Sequence, residues 1–340
     1  MKKNKVLIIA EAGVNHNGNL KLAYKLVDAA KSSGADAVKF QTWLQGELTG
    51  KFTDKVDYIK KNLKNSKISR YDLSEKLRLD YKDFIKIKNY AKRKKILFLT
   101  TPDGYQSLKF ACKTLKIKYI KIGSTELNHS EFIKEAAKYK KPILLSTGMG
   151  DFDEVKKAVN VVKKIHKKIT ILHCTSQYPA ISSDLNILSI KFLKDKLGLD
   201  IGYSDHSLGN TAAIMSVALG AKVIEKHITL NNNMSGPDHK SSLNPKNFKD
   251  FVKKIRQSEK ILGEYKKRPT KVELKNLPNI RRGIVSKKNL PKGTVLKKNM
   301  LIAKRPFIEI EPDDIQLLIG KKIVKNLKED QPIIWKYVKK

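Results

Sequence analysis

Between residues 6 and 263, short apolar runs of strand length alternate with longer stretches of helical spacing, and the alternation occurs eight times. The strand-like runs are 6–10, 37–41, 96–100, 119–123, 142–146, 169–174, 199–203 and 223–227. Most are continuously apolar, the pattern of parallel strands covered on both faces. The intervening segments carry helix signals. Leu20, Ala23, Val27 and Ala30 recur at helical spacing, Asn17 or Asn19 can cap that stretch, and Gly34 ends it. Eight β-α repeats over about 260 residues predict a TIM (β/α)8 barrel. An open doubly wound sheet is the alternative.

The pattern breaks after Gly263. Residues 264–270 read as a polar linker, and from about Asn279 short strand runs alternate with turn signals such as Pro291-Lys292-Gly293. The expected organisation is therefore a barrel over 1–264, a linker over 265–279 and a small β-rich domain over 280–340. About 60 residues give only a marginal core, so this module is expected to lean on something larger.

Composition narrows the function classes. No apolar run approaches the roughly 20 residues of a membrane span, and residues 6–10 read as a first strand instead of a signal peptide. Two cysteines, Cys112 and Cys174, show no paired spacing, which fits a reduced cytoplasmic protein. The formal net charge of +38 raises the question of nucleic acid. The lysines, however, are spread over nearly every predicted helix, and no basic tract is interleaved with aromatics. A general lysine bias with no nucleic-acid surface is the simpler reading, and the positive field would still attract an anionic small substrate.

In a TIM barrel the chemistry gathers at the C-terminal ends of the strands. There the chain carries Glu11, Lys39 and Gln41, Thr101, Lys121 with Ser124 and Glu126, Ser146, Tyr178, Ser204, His206, Glu225 and His227. His206 and His227 close neighbouring strands of one β-α-β unit, which brings both imidazoles to the same rim. Two neutral imidazoles there can grip a divalent metal and leave positions open for substrate; two hydrogen-bonded structural histidines are the blander account. Lys39 and Lys121 sit within apolar strands. Facing inward, each needs an anionic partner; facing outward, each snorkels between helices. Each hydroxyl taken singly is an ordinary cap or turn former. Hydroxyls and lysines together suit a small substrate bearing a phosphate and a carboxylate.

The segments Glu11-Ala12-Gly13-Val14-Asn15-His16-Asn17-Gly18, Val38-Lys39-Phe40-Gln41-Thr42, Lys121-Ile122-Gly123-Ser124, Ser146-Thr147-Gly148-Met149, Tyr203-Ser204-Asp205-His206, Glu225-Lys226-His227 and Gly236-Pro237-Asp238 together resemble the bacterial sialic acid synthases. The wider family also makes legionaminic and pseudaminic acids. The resemblance extends to the C-terminal module, which is similar to the antifreeze-like (SAF, β-clip) domain through Asn299-Met300-Leu301 and Lys304-Arg305-Pro306. It implies condensation of phosphoenolpyruvate with an open-chain N-acetylated hexosamine, N-acetylmannosamine or a 2,4-diacetamido-6-deoxy hexose, with release of phosphate. It further implies that His206 and His227 bind a divalent metal, typically Mn²⁺ with Mg²⁺ or Co²⁺ as alternatives. By the same resemblance Lys39, Thr101, Lys121, Ser124, Ser146 and Ser204 hold phosphoenolpyruvate. Gln41, Asn65, Glu126, Tyr178 and Asp238 address the sugar, and Glu11 with Glu225 serves acid/base or electrostatic work. Arg305 is expected to reach the N-acetyl group from the small domain of a partner chain, in a domain-swapped homodimer. The segment 234–240 looks more like legionaminic-type relatives than strict sialic acid enzymes. Two other classes compete. A TIM-barrel metallohydrolase would want further ligands, such as a His-x-His on an early strand, which the chain lacks. A basic binding protein leaves the strand-end lysines and hydroxyls without a purpose.

Overall fold

The computed structural model describes residues 5–64 and 66–339, in two compact units, Met1–Gly263 and Glu264–Lys340. In the first unit the strands are β1 (Leu7–Gly13), β2 (Ala37–Thr42), β3 (Leu97–Pro102), β4 (Ile120–Ile122), β5 (Ile143–Ser146), β6 (Ile169–Cys174), β7 (Asp200–Asp205) and β8 (Val223–His227). They form one sheet in the order β3-β2-β1-β8-β7-β6-β5-β4. Every hydrogen-bonded pair in it is parallel. The terminal strands β3 and β4 lie against each other and close the ring, so the barrel holds and the open doubly wound sheet does not. Four strands run further than their apolar runs: β1 to Gly13, β2 to Thr42, β3 to Pro102 and β7 to Asp205. Neighbours on both sides hold the backbone there, so polar residues can extend the strand.

Two hydrophobic layers follow from the period of two along each strand. Ile8, Ala10, Val38, Phe40, Ile122, Leu145, Ile171, Tyr203 and Ile224 face outward and pack on the surrounding helices. Ile9, Ala37, Leu99, Leu144, Leu172 and Val223 form a separate cluster inside the ring. Space there is tight: a Cβ on Gly202 would fall 2.4 Å from Leu172 Cδ2. Two residues further along each strand the same inward alternation delivers Glu11, Lys39, Thr101, Ser146, Cys174, Ser204 and Glu225. The polar site therefore rests on an apolar floor.

The first helix, Leu20–Ser32, is capped by Asn19, whose side chain accepts from the amides of Lys21 and Leu22. Asn17 takes no part in the cap; it adopts a left-handed conformation with φ of 51°. Helices at Asp57–Asn62 and Arg70–Leu77 interrupt the simple repeat between β2 and β3. With Val14 and Trp43 they contribute a small apolar cluster of their own, including Ile59, Leu73 and Leu77.

In the second unit, β9 (Gly283–Ser286) pairs antiparallel with β10 (Leu301–Lys304), and β11 (Lys322–Ile323) with β12 (Val338–Lys339). Ile284, Leu290, Leu296, Leu301, Ile310, Leu318, Ile323, Leu327 and Ile333 make its core. A helix spans Lys271–Ile280, most of it within the stretch 265–279 expected as linker. Thr270 and Glu273 form a reciprocal capping box at its start, a Thr-x-x-Glu signal that the lysine-rich composition obscures.

Candidate active site

The C-terminal ends of the strands open into a cavity of about 320 Å³. Lys39 and Lys121 both point into it and are almost fully buried, at 3% exposure each, so the outward, snorkelling alternative fails. Lys39 Nζ lies 2.7 Å from Glu11 Oε2 and 3.7 Å from Glu225 Oε2, and donates to Thr101 Oγ1 at 2.8 Å. Lys121 Nζ donates to Ser146 Oγ at 2.7 Å and stands 3.8 Å from Glu225 Oε1. Ser204 Oγ donates to the same carboxylate at 3.0 Å. Every strand except β6 thus contributes to one connected ring of charges and hydroxyls.

The two carboxylates differ in protonation. Burial raises Glu11 to about 7, against the pull of Lys39. Glu225 is equally buried, but Lys121 and Lys39 together with the Ser204 hydroxyl outweigh desolvation and hold it near 2. Lys39 is raised: burial opposes its charge, and Glu11 and Glu225 more than compensate. Lys121 is lowered by burial. One carboxyl poised near neutrality beside one fixed anion is the arrangement that proton transfer at a buried centre requires.

A second feature is a close cluster of hydroxyls beyond β5. The Gly148 amide donates to Ser124 Oγ at 2.9 Å. A Cβ on Gly148 would fall 2.2 Å from Ser176 Oγ and 2.9 Å from Ser124 Oγ, so no side chain fits between these hydroxyls. Ser176 and Cys174 line the cavity as well. The inward period of β6 leads to both.

His206 and His227 stand side by side on the rim, ring centroids 5.5 Å apart. His206 Nδ1 donates to the Thr175 carbonyl oxygen at 2.7 Å, which leaves the lone pair on Nε2, 3.0 Å from the Tyr178 hydroxyl. His227 Nδ1 is buried with no hydrogen-bond partner among the described residues. Burial, then the neighbouring His206, pushes His227 well below the ordinary imidazole range. The Cys174 thiol and the Thr175 carbonyl outweigh burial and raise His206; the side-by-side rings and the orphaned nitrogen of His227 are what fit a metal ion. Among the described residues no three His, Cys, Asp or Glu side chains cluster as ligands, so a metal held by the two histidines would need ligands from outside the chain.

The remaining expected residues divide. Gln41, Tyr178 and Asp238 line the cavity, and burial lifts Asp238 to about 6. Tyr178 stacks on His206, centroids 4.0 Å apart. Glu126 is outside the cavity lining, and its carboxylate meets His129 Nδ1 at 2.9 Å. Asn65 lies outside the described residues. Arg305 is an exposed residue of the second unit. An apolar wall of Val14, Trp43, Leu48, Ile59, Leu73 and Leu77, with Tyr58 and Arg70 beside it, faces the polar floor. Ile59, Leu73 and Leu77 come from the two short helices between β2 and β3, and Val14, Trp43 and Leu48 from the loops after β1 and β2, so no strand-end pattern in the sequence points to this wall.

Residues 26–267 match the model of the NeuB family, and residues 281–339 match the SAF domain. The chain is 42% identical over 332 residues to the N,N'-diacetyllegionaminic acid synthase of Campylobacter jejuni, covering 97% of this chain and 99% of that protein. It is 39% identical to the enzyme of the same name from Legionella pneumophila, over 97% of this chain and 94% of the other. A solved sialic acid synthetase from Leptospira borgpetersenii, in complex with citrate, superposes with a TM-score of 0.70 at 33% identity, over 80% of this chain and 90% of that one. With its barrel, its strand-end constellation and these matches along almost its whole length, the chain belongs to the NeuB family of nonulosonic acid synthases.

Proposed function

We propose that the protein joins phosphoenolpyruvate to the open-chain form of a 2,4-diacetamido-6-deoxy hexose, giving a legionaminic-type nonulosonic acid and phosphate. The observation that carries this reading is the convergence of Lys39 and Lys121, both buried, with Thr101, Ser146 and Ser204 on one cavity floor beside two adjacent imidazoles. Such a floor suits a small polyanion, and the wall of Val14, Trp43, Ile59 and Leu73 suits methyl groups. A 6-deoxy, doubly acetylated sugar carries more methyl surface than N-acetylmannosamine, the other candidate.

Lys39, Lys121, Thr101, Ser124, Ser146 and Ser204 would fix the enol phosphate for attack. Gln41, Tyr178 and Asp238 would address the sugar, with Glu126 and Asn65 as further candidates. His206 and His227 would hold a divalent ion, Mn²⁺ in the first place, supplying Lewis acidity at the sugar aldehyde. The enol carbon bonds to the aldehyde carbon, water adds to the oxocarbenium centre left behind, and the resulting tetrahedral carbon releases phosphate. Glu11, poised near 7, is suited to take a proton from that water and return it to the departing phosphate; Glu225 is suited to steady the cation. Arg305 of a second copy would meet the acetamido group in a domain-swapped homodimer. Two free, buried cysteines accord with a cytoplasmic setting, and no helix among the described residues is long and apolar enough to cross a membrane.

The test is phosphate release by the purified protein with phosphoenolpyruvate, Mn²⁺ and a panel of hexosamines. Turnover should be fastest with the 2,4-diacetamido-6-deoxy hexose. A preference for N-acetylmannosamine overturns the sugar assignment, and no release with any hexosamine overturns the synthase reading.

A further inference from the structure

Asp103 is a buried acidic group that the reaction above leaves without a task. It follows β3 directly, two residues past Thr101, and so continues the inward face of Leu97, Leu99 and Thr101. Its amide donates to the Thr42 carbonyl oxygen at 3.0 Å. That bond carries the β2–β3 pairing one step beyond the sheet and holds the residue above the phosphoenolpyruvate floor, beside the strand that bears Gln41. The residue is 7% exposed, its side chain lines the cavity, and Oδ2 is buried without a hydrogen-bond partner among the described residues. Burial raises its pKa to about 8, with Lys39 opposing. At neutral pH it is therefore mostly the neutral acid, able both to donate and to accept.

The groups beneath it are already engaged. Lys39 is held by Glu11 and Thr101, Lys121 by Ser146, and Glu225 by Ser204. A phosphate or carboxylate is a poor partner for another acid. A polyhydroxylated, N-acylated sugar is a good one, because it offers O–H and N–H donors and carbonyl acceptors. A buried polar group built to meet such a partner discriminates strongly against ligands that leave it unpaired.

We propose that Asp103 is a specificity-determining residue of the sugar subsite, hydrogen-bonded to a hydroxyl or acetamido group of the amino sugar. This rests on the phosphoenolpyruvate–sugar condensation proposed above. Asp103→Leu removes both hydrogen-bonding functions at similar size, whereas Asp103→Asn keeps a donor and an acceptor.

Initial rates with both substrates varied should give a sugar KM at least tenfold higher for D103L, with the phosphoenolpyruvate KM within about twofold of wild type. D103N should stay closer to wild type than D103L does. Calorimetric titration with the reduced, open-chain alditol of the preferred sugar, which cannot react, should rank the three proteins in the same order. If D103L does not fold, D103A carries the same expectation. An active wild type whose leucine or alanine variant keeps its sugar KM, or loses both KM values in parallel, overturns this role alone. A wild type that releases no phosphate with any sugar overturns the condensation and this role together.

Discussion

Lys226 Nζ lies 2.7 Å from Asp205 Oδ2, and both side chains are wholly excluded from solvent. The two residues are register partners on β7 and β8, and each immediately precedes one of the paired histidines. Their side chains turn toward the helix layer, where the Lys226 ammonium sits 5.8 Å from the centre of the Phe251 ring. The following residues are thereby turned inward. Asp205 also accepts from the Ser207 amide and hydroxyl at 2.9 and 2.7 Å, so the charge pair ties together the segments that carry His206 and His227.

Breaking one half of this pair strands a buried charge. Lys226→Met is expected to cost about 3–5 kcal/mol, read by urea denaturation. Adding Asp205→Asn to it should recover part of that loss, since the remaining carboxylate is neutralised. Equal stabilities of the single and double variants would show that the two residues are not coupled.

His206→Ala and His227→Ala should each reduce phosphate release to background while circular dichroism stays close to wild type. His227 Nδ1 has no hydrogen-bond partner to lose among the described residues, so its variant should also melt close to wild type, whereas His206→Ala gives up the bond to the Thr175 carbonyl and should melt lower. Chelator treatment of the wild-type protein should have the same effect, reversed by Mn²⁺. Turnover that survives both chelation and the double substitution would remove the metal from the reaction.

Glu11→Gln should lower kcat by roughly 10²–10⁴-fold, the usual worth of a positioned acid/base group. Phosphoenolpyruvate binding should be retained, because the substitution relieves Lys39 of a competing carboxylate 2.7 Å away. A kcat within tenfold of wild type would move the proton transfer to another group.

Asp103 makes stability depend on pH. Its folded pKa is about 8 against an ordinary value of 3.8. Between those values the folded chain holds a proton that the unfolded chain has released, so unfolding free energy falls as pH rises through the window. Asp103→Asn cannot titrate. Its stability advantage over wild type should therefore grow between pH 5 and pH 8, by at least about 1 kcal/mol, in denaturation curves at the two pH values. A constant difference would place the carboxyl in a more solvated setting.

Much of the barrel is legible in the chain because strands buried on both faces leave continuous apolar runs, and 169–174 and 223–227 coincide with β6 and β8. The polar rim is legible for a related reason: a lysine within an apolar strand, as at Lys39, has few places to go. Which way it goes is a property of the closed ring, and only the three-dimensional register of β1, β2 and β8 brings Glu11 and Glu225 to it. The apolar wall escapes notice because Asp57–Asn62 and Arg70–Leu77 are short helices whose packing partners, Val14 and Trp43, are remote in sequence. Asp103 escapes for a related reason. Its place on the cavity lining and the lack of a hydrogen-bond partner for Oδ2 among the described residues exist only in the folded chain.

The cluster of Ile9, Ala37, Leu99, Leu144, Leu172 and Val223 stoppers the barrel below the reacting groups. Traffic into such a blind tube must queue: whatever docks on the lysines has to arrive before the sugar covers it, and departs only after the sugar-derived acid has cleared the mouth. Steady-state rates should accordingly show compulsory order with phosphoenolpyruvate leading. Inorganic phosphate should compete with it and not with the hexose.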